Sequence, residues 1–376
     1  GAAIMRLQLR NHLNLVVSAL LDWQKALVIK GEEFYDTVLP GYTHLQSAQP
    51  ITLGHHLLAQ FWLHVDDVER LQLAYKHTNT NPMGTASIAG TSWPIDRDRT
   101  RSLLGFDTST ENARVSRTYI FRAEIASVYS TLLATLHYLA SDLYIWFSEE
   151  FGMVEPDDRH SGASSIMPQK KNPYVWEKTR VMARHASGWP ASALSALMGA
   201  SSSDSFLDAP EIESYGPVVE GLLKVNAETL QLLRVNKERM LYLAQQGFST
   251  ANHLADILVR EKSLPFRQAH AVVGRFVRLC LDQGKRPSDL NSALLNEAAE
   301  DFGVQSPDIP NSRLIEILDP VSFVHSRKTL GSTNPVDVKR QIKAARELLD
   351  SHKTLFLNAN ENIQNAETEM KRSVAR

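Results

Sequence analysis

Apolar side chains recur at steps of three and four through most of the chain, the spacing that places them along one face of an α-helix. Ile125, Val128, Leu132, Leu136, Leu139, Leu143 and Trp146 form one such stripe, and Val219, Leu222, Leu223, Leu230 and Leu233 form another. Further helical patterns run from about Met5 to Lys30, Ile51 to Lys76, Pro173 to Met198 and Phe266 to Asp282. No convincing run alternates apolar with polar residues, so almost no sheet is expected. Five long helices with few breakers inside them predict an all-α protein built on a long bundle packed like a coiled coil. Several are apolar on more than one face, which implies partners beyond a single bundle.

A smaller helical lobe is expected to begin at Gly247-Phe-Ser-Thr250, with Ser249 or Thr250 capping the next helix. This divides the chain into a central helix-bundle domain at 1–246 and a C-terminal helical domain at 247–376. Between Gln283 and Ser312, Pro, Ser, Asn and Asp predict short helices joined by turns.

The chain has 376 residues, more than one ordinary core accommodates. A formal net charge of −2 and a pI near 6.7 leave no electrostatic footprint for nucleic acid or an anionic membrane. The longest apolar stretch, Thr131 to Phe147, is interrupted by His137 and Asp142 and reads as a core helix, not a membrane span. The single cysteine, Cys280, excludes an internal disulfide framework, reads as a buried structural thiol and fits a reducing cytoplasm. The opening residues lack the basic and apolar regions of a secretory signal, so a cytoplasmic location is expected.

Two polar segments carry the candidate chemistry. In Ser161-Gly-Ala-Ser-Ser-Ile-Met-Pro-Gln-Lys-Lys-Asn-Pro173, small residues and hydroxyls suit a mobile lid, and Asn172-Pro173 reads as an N-cap followed by N1 of a helix. Lys170 and Asn172 would then lie beside the positive end of that helix, where a carboxylate is stabilised. A solvated serine-rich loop with a lysine pair is the alternative reading of such a run. The second segment is Gly41-Tyr-Thr-His-Leu-Gln-Ser-Ala-Gln-Pro50, which reads as a turn between two helices with His44 among Thr43, Gln46 and Gln49. His55-His56 have no partners at ligand spacing, point to different faces of a helix and read as structural.

Together the two segments resemble the argininosuccinate lyase family, within the wider fumarase and aspartase superfamily. The superfamily pattern GSSxMPxKxN has Ala163 in place of its glycine, while SSIMPQKKNP and GYTHLQxAQP point to the argininosuccinate branch. Asn81 to Asp96 is similar to the family's glycine-rich segment, and Pro265-Phe-Arg-Gln-Ala-His270 and Leu318-Asp-Pro-Val-Ser-Phe323 are similar to its C-terminal signatures. The resemblance implies a fumarate-forming carbon–nitrogen lyase without metal or other cofactor. It also implies a homotetramer whose bundles combine into a twenty-helix core, each site being built from three subunits.

By the same match Ser164 is the general base, Lys170 and Asn172 hold the carboxylate that gains charge, and His44 has a supporting or acid role. Glu177 matches the carboxylate that pairs with this histidine across a subunit boundary; alone it would read as an ordinary surface residue. Thr43, Asn172 and Gln169 are carried over as substrate-binding. The substrate implied is argininosuccinate, cleaved to arginine and fumarate. Alternatives are another N-substituted aspartate such as ethylenediamine-disuccinate, or a silent, crystallin-like structural relative.

The family carries a long segment ahead of the position matched by Gly1, ending in a Ser-Arg-Asn-Asp-like substrate loop, so a longer native protein is expected. Arg117-Thr-Tyr-Ile-Phe121 stands where the family has a Ser-Asp-Arg-Asp-Phe-like stretch, and Ser201 to Glu211 replaces a Tyr-Asn-Lys-Asp-Leu-Gln-like one. The succinate end of the site is thus retained and the leaving-group end altered. Asp204, Asp208 and Glu211 offer carboxylates that suit a cationic leaving group.

Overall fold

The computed structural model describes residues 1–198 and 212–374; the Asp204, Asp208 and Glu211 carboxylates lie outside the described residues. The main body contains α1 (Ala2–Glu33), α2 (Leu53–Thr78), α3 (Arg97–Leu103), α4 (Ile120–Trp146), α5 (Tyr174–Ala186), α6 (Trp189–Leu197), α7 (Tyr215–Gln231) and α8 (Lys237–Gln245). After it come α9 (Ala251–Lys262), α10 (Phe266–Asp282), α11 (Ser292–Glu300), α12 (Asn311–Leu318), α13 (Pro320–His325) and α14 (Pro335–Val374). The region expected as one helix from Pro173 to Met198 is two, α5 and α6, separated at Ser187-Gly188. Glycine lowers helical stability there, and Pro190 fits the first turn of a new helix.

At 1.5 Å per residue α1 is about 48 Å long and spans the bundle. Arg6 donates to the carbonyls of His77 (2.9 Å) and Thr78 (3.1 Å), at the opposite end of α2, so the two helices are antiparallel. Their other ends touch backbone to backbone: a Cβ on Gly54 would lie 2.5 Å from the Gly31 carbonyl oxygen. α4 runs back alongside α2, with His77 bonded to Glu124 (2.7 Å) at one end and His56 3.1 Å from Asp142 at the other. The stripe predicted in α4 is buried at Ile125, Leu132, Leu136, Leu139, Leu143 and Trp146; the second is buried at Val219, Leu222, Leu223 and Leu230 of α7 and at Leu233 just past its end. Cys280 is buried, and burial pushes its thiol up to about 11.

Sheet is confined to two-stranded pairs among the described residues. The largest, β1 (Val38–Thr43) against β2 (Gln46–Thr52), fills the connection between α1 and α2. It corrects the expected turn between two helices. The other strands, β3 (Thr80–Asn81), β4 (Thr108–Ser109), β5 (Val154–Glu155), β6 (Gly162–Ala163), β7 (Lys171–Asn172) and β8 (Arg234–Val235), are two residues each. β3 pairs with β4, β5 with β8 and β6 with β7.

A second apolar core contains Leu254, Ile257, Val272, Phe276, Leu295, Leu314 and neighbours, all between α9 and α12. The lobe expected to run to residue 376 is narrower than that. α14 returns to the bundle, where Val338, Ile342 and Ala345 join the main core and Asn14 bonds Asn360 (3.1 Å). Its amphipathic first half supplies the apolar stripe that makes this packing favourable. Thr250 occupies the N-cap position of α9, but its hydroxyl donates to the Leu318 carbonyl (2.9 Å) in place of capping, and Ser249 does not cap either. A small cluster of Val38, Ala244, Phe323 and Val324 joins α13 to the base of the β1–β2 hairpin.

The α1–α2 contact leaves no room for a side chain at Gly54. Gly54→Ala should lower unfolding stability by about 1–3 kcal/mol, measured by denaturant titration. Gly274→Ala, in open space on α10, should instead stabilise by up to about 1 kcal/mol; a neutral Gly54→Ala would show that the contact yields easily.

Candidate active site

The β1–β2 hairpin closes with a two-residue turn, Thr43 pairing with Gln46. Its central residues His44 and Leu45 both have left-handed backbone, with φ of 53° and 59°. This is the geometry that Asn-Gly adopts most readily, so a His-Leu turn stores strain. Gly41 is required one step earlier, because a Cβ there would lie 2.6 Å from the Gln49 carbonyl oxygen. Thr43, His44 and Leu45 are exposed at the tip, while Tyr42 packs edge-on against Phe151 with ring centroids 5.5 Å apart. Burial raises the Tyr42 pKa, against the opposing influence of Arg239 and a hydrogen bond with Ser47. Beneath the tip is a cavity of about 490 Å³ bounded by Tyr42, Thr43, Leu45, His56, Trp146 and Phe151.

The second segment is also a hairpin. Gly162 pairs with Asn172 and Ala163 with Lys171, leaving Ser164 to Lys170 as its tip. Ser164 Oγ accepts hydrogen bonds from the amides of Ile166 (3.3 Å) and Met167 (3.0 Å). Two amides aimed at one hydroxyl oxygen favour negative charge on it, as a serine acting as a base requires. Ser164 is half-buried, while Gln169 and Lys170 are exposed.

The paired lysines separate into two roles. Lys171 Nζ is bound by Glu155 Oε1 (2.8 Å), Asp158 Oδ1 (2.7 Å) and the Pro156 carbonyl (2.6 Å), pinning the base of the hairpin. Burial opposes its charge, yet the hydrogen bonds to Asp158 and Glu155 outweigh this and raise its pKa. The Asp158 carboxyl is held below its usual range, first by the hydrogen bond from Lys171 and then by its charge. Among the described residues no ion pair engages Lys170, which is exposed. Sequence reasoning missed this anchor, although the acidic run Glu155, Asp157 and Asp158 ahead of the loop was its signal.

The expected cap is also different. Pro173 holds the N-cap position of α5, the helix starts at Tyr174, and no side chain caps it. Asn172 stands one residue ahead of that position, in β7, where it pairs with Gly162. Its amide remains beside the helix mouth, and Glu177 lies exposed in the first turn.

Both hairpins occupy the same end of the bundle, since Trp176 packs on Phe147 (6.3 Å) just past the end of α4. Among the described residues, however, no hydrogen bond or ion pair joins Thr43 or His44 to Ser164, Gln169, Lys170, Asn172 or Glu177. The glycine-rich segment lies at the opposite end, where Arg97 binds the Met83 carbonyl (3.0 Å) and Thr85 bonds Ser116 (2.9 Å). Within one chain the two hairpins are thus not in polar contact among the described residues.

A family model described as lyase matches residues 2–188, and one described as argininosuccinate lyase C-terminal matches residues 248–325. Argininosuccinate lyase from Bacillus subtilis (strain 168) is 36% identical over 351 residues, covering 92% of this chain and 74% of the relative. That from Alkalilimnicola ehrlichii is 37% identical over 352 residues, covering 93% and 73%. An EDDS lyase variant with bound fumarate has a TM-score of 0.94 at 32% identity, covering 100% of this chain and 76% of the other. The crystal structure of 3-carboxy-cis,cis-muconate lactonizing enzyme from Pseudomonas putida, at 21% identity, shares the fold with a TM-score of 0.70 and covers 91% of this chain and 74% of its own. Relatives sharing more than a third of their residues over nine-tenths of the chain, and a fold aligned along its whole length, place it in the argininosuccinate lyase family of the fumarase and aspartase superfamily, the fumarate-forming carbon–nitrogen lyases.

Proposed function

We propose that the protein cleaves argininosuccinate to arginine and fumarate. The observation that supports this reading is the Ser164 hydroxyl under two amides, on a hairpin whose tip also presents Lys170. Ser164, deprotonated in the resting site, removes the proton from the carbon beside the succinate carboxylate. Lys170, Asn172 and Thr43 bind that carboxylate as it gains charge, and Gln169 orients the substrate. Collapse of this intermediate breaks the carbon–nitrogen bond, with His44 in a supporting or acid role as the nitrogen leaves.

His44 is paired in this scheme with Glu177 of another subunit, which would fix the imidazole tautomer. That no polar contact joins the two hairpins within one chain, among the described residues, supports a site assembled from several copies. So do the large apolar residues exposed on α2 and α4, Trp62, Leu63, Leu73 and Tyr138, which give a homotetrameric core something to bury. A second reading, cleavage of another N-substituted aspartate such as ethylenediamine-disuccinate, is favoured by the 0.94 TM-score with EDDS lyase and by the altered Arg117 to Phe121 segment.

Absorbance in the fumarate band, followed in the addition direction with fumarate plus arginine or a panel of amines, distinguishes these substrates. Consumption of fumarate with arginine supports the first reading, and consumption only with a diamine or its aspartate adduct the second. Ser164→Ala should lower the rate by about 10²–10⁴-fold with the oligomer unchanged by light scattering; a near-normal rate removes Ser164 from the reaction. Ser164→Ala and His44→Ala chains, each inactive alone, should recover measurable activity when co-expressed. Failure of all mixtures to recover would place the site within one chain.

The anchor under the loop also has a pH signature. A depressed Asp158 pKa contributes stability above the ordinary carboxylate range and loses it as pH falls through the lowered value. A raised Lys171 pKa contributes below the ordinary lysine range and loses it as pH rises through the raised value. The hairpin should therefore resist limited proteolysis between those limits and become labile in acid, whereas Lys171→Met should be cut quickly at neutral pH; equal cutting of both proteins would discard the anchor.

A further inference from the structure

The two C-terminal signatures play no part in the chemistry above; one supplies Phe266 to the wall of a cavity beside the second lobe, and the other ends in Phe323, on which a further lining residue stacks. The cavity measures about 340 Å³ and is lined by Asp256, Arg260, Phe266, Ser326, Arg327 and Lys328, among others. Phe266 comes from the first signature. Arg327 lies 4.1 Å over the ring of Phe323, from the second.

Arg327 is held rigidly by neutral partners. Its NH2 group meets His253 Nδ1 at 2.7 Å and Ser326 Oγ at 2.7 Å, and its Nε donates to the Phe323 carbonyl at 3.2 Å. Burial, reinforced by the neighbouring Arg327 and Arg260 charges, pushes His253 down to about 4, so it accepts from the guanidinium as a neutral ring. Buried and half-buried cations are ordinarily met by a carboxylate. Half-buried Arg327 makes no ion pair among the described residues; the exposed Arg260 and Lys328 make none either, and Asp256 is the one carboxylate in the lining against three cations. Arg313 close by is committed to Glu261 and Glu316.

We propose that this cavity binds a phosphoryl dianion, with the NH1 group of Arg327, its NH2 and Nε being committed within the protein, as a fixed donor and Arg260 and Lys328 closing over it. A guanidinium oriented by stacking and hydrogen bonds offers its remaining NH1 donors and its charge to a phosphoryl oxygen, and two further cations balance the second charge. The ring of Phe266, 61% exposed at the cavity wall, can stack on a base or other planar body attached to the group. The two sources of this chemistry are the free phosphate ion and a nucleoside monophosphate.

Calorimetric titration of the purified protein with inorganic phosphate and with AMP tests the site. Saturable binding of either is expected, weakened about tenfold or more in Arg260→Gln/Lys328→Gln. Both residues are exposed, so the fold is retained, and the rate of fumarate formation should be unchanged because neither touches the loops that carry Ser164 and His44. AMP binding more tightly than phosphate identifies a nucleotide, and equal affinity identifies the ion; either upholds the site. Absence of saturable binding, undiminished affinity in the double variant, or displacement of phosphate by an equal concentration of fumarate would overturn it.

Discussion

The backbone contact between Gly31 of α1 and Gly54 of α2 sets the geometry on which the rest depends. Where two helices meet without side chains between them, neither can slide without a clash. That contact fixes the point at which the chain must turn from one helix into the other. The Gly54 amide is bonded to the Phe34 carbonyl (2.9 Å) and the Leu53 amide to the Thr37 carbonyl (2.8 Å), so the two ends of the connecting hairpin are clamped together. The tip carrying Thr43 and His44 is consequently directed by the clamp at its root together with the contacts of Val38 and Tyr42 along the hairpin.

The hairpin of Ser164 to Lys170 is placed by a different force. It rests on charge: one lysine surrounded by two carboxylates and a carbonyl at its base. Rigidity is thereby concentrated at the root of the loop while its tip remains exposed, an arrangement suited to closing over a substrate without losing register. The two hairpins share an end of the bundle but use unrelated means of support, and a change in one need not disturb the other.

The helical architecture was legible because burial repeats along α4 and α7 with helical spacing, and Leu132, Leu136 and Leu143 behave as their pattern predicts. The chemistry of the loops was legible as residue types in order. The hairpins themselves were not, because a two-residue turn of His and Leu lacks the glycine or asparagine that normally announces left-handed backbone. Nor was the difference between Lys170 and Lys171, adjacent and chemically identical, since it arises from which one the chain turns toward Glu155 and Asp158. The return of α14 was hidden for a similar reason: its amphipathic stripe shows that it packs, but not upon what. Asn172 shows the reverse error, a good capping residue by type that stands one residue ahead of the cap position and pairs in β7.

That return makes the second lobe an insertion instead of an appendage. The chain leaves the bundle after α8 and re-enters it through α14, so the main body is assembled from both halves of the polypeptide. A single cut inside the lobe would not release it, because each fragment would still be rooted in the same bundle. Its fate is bound to that of the bundle, and neither can be shed by evolution, or by a protease, as a simple tail.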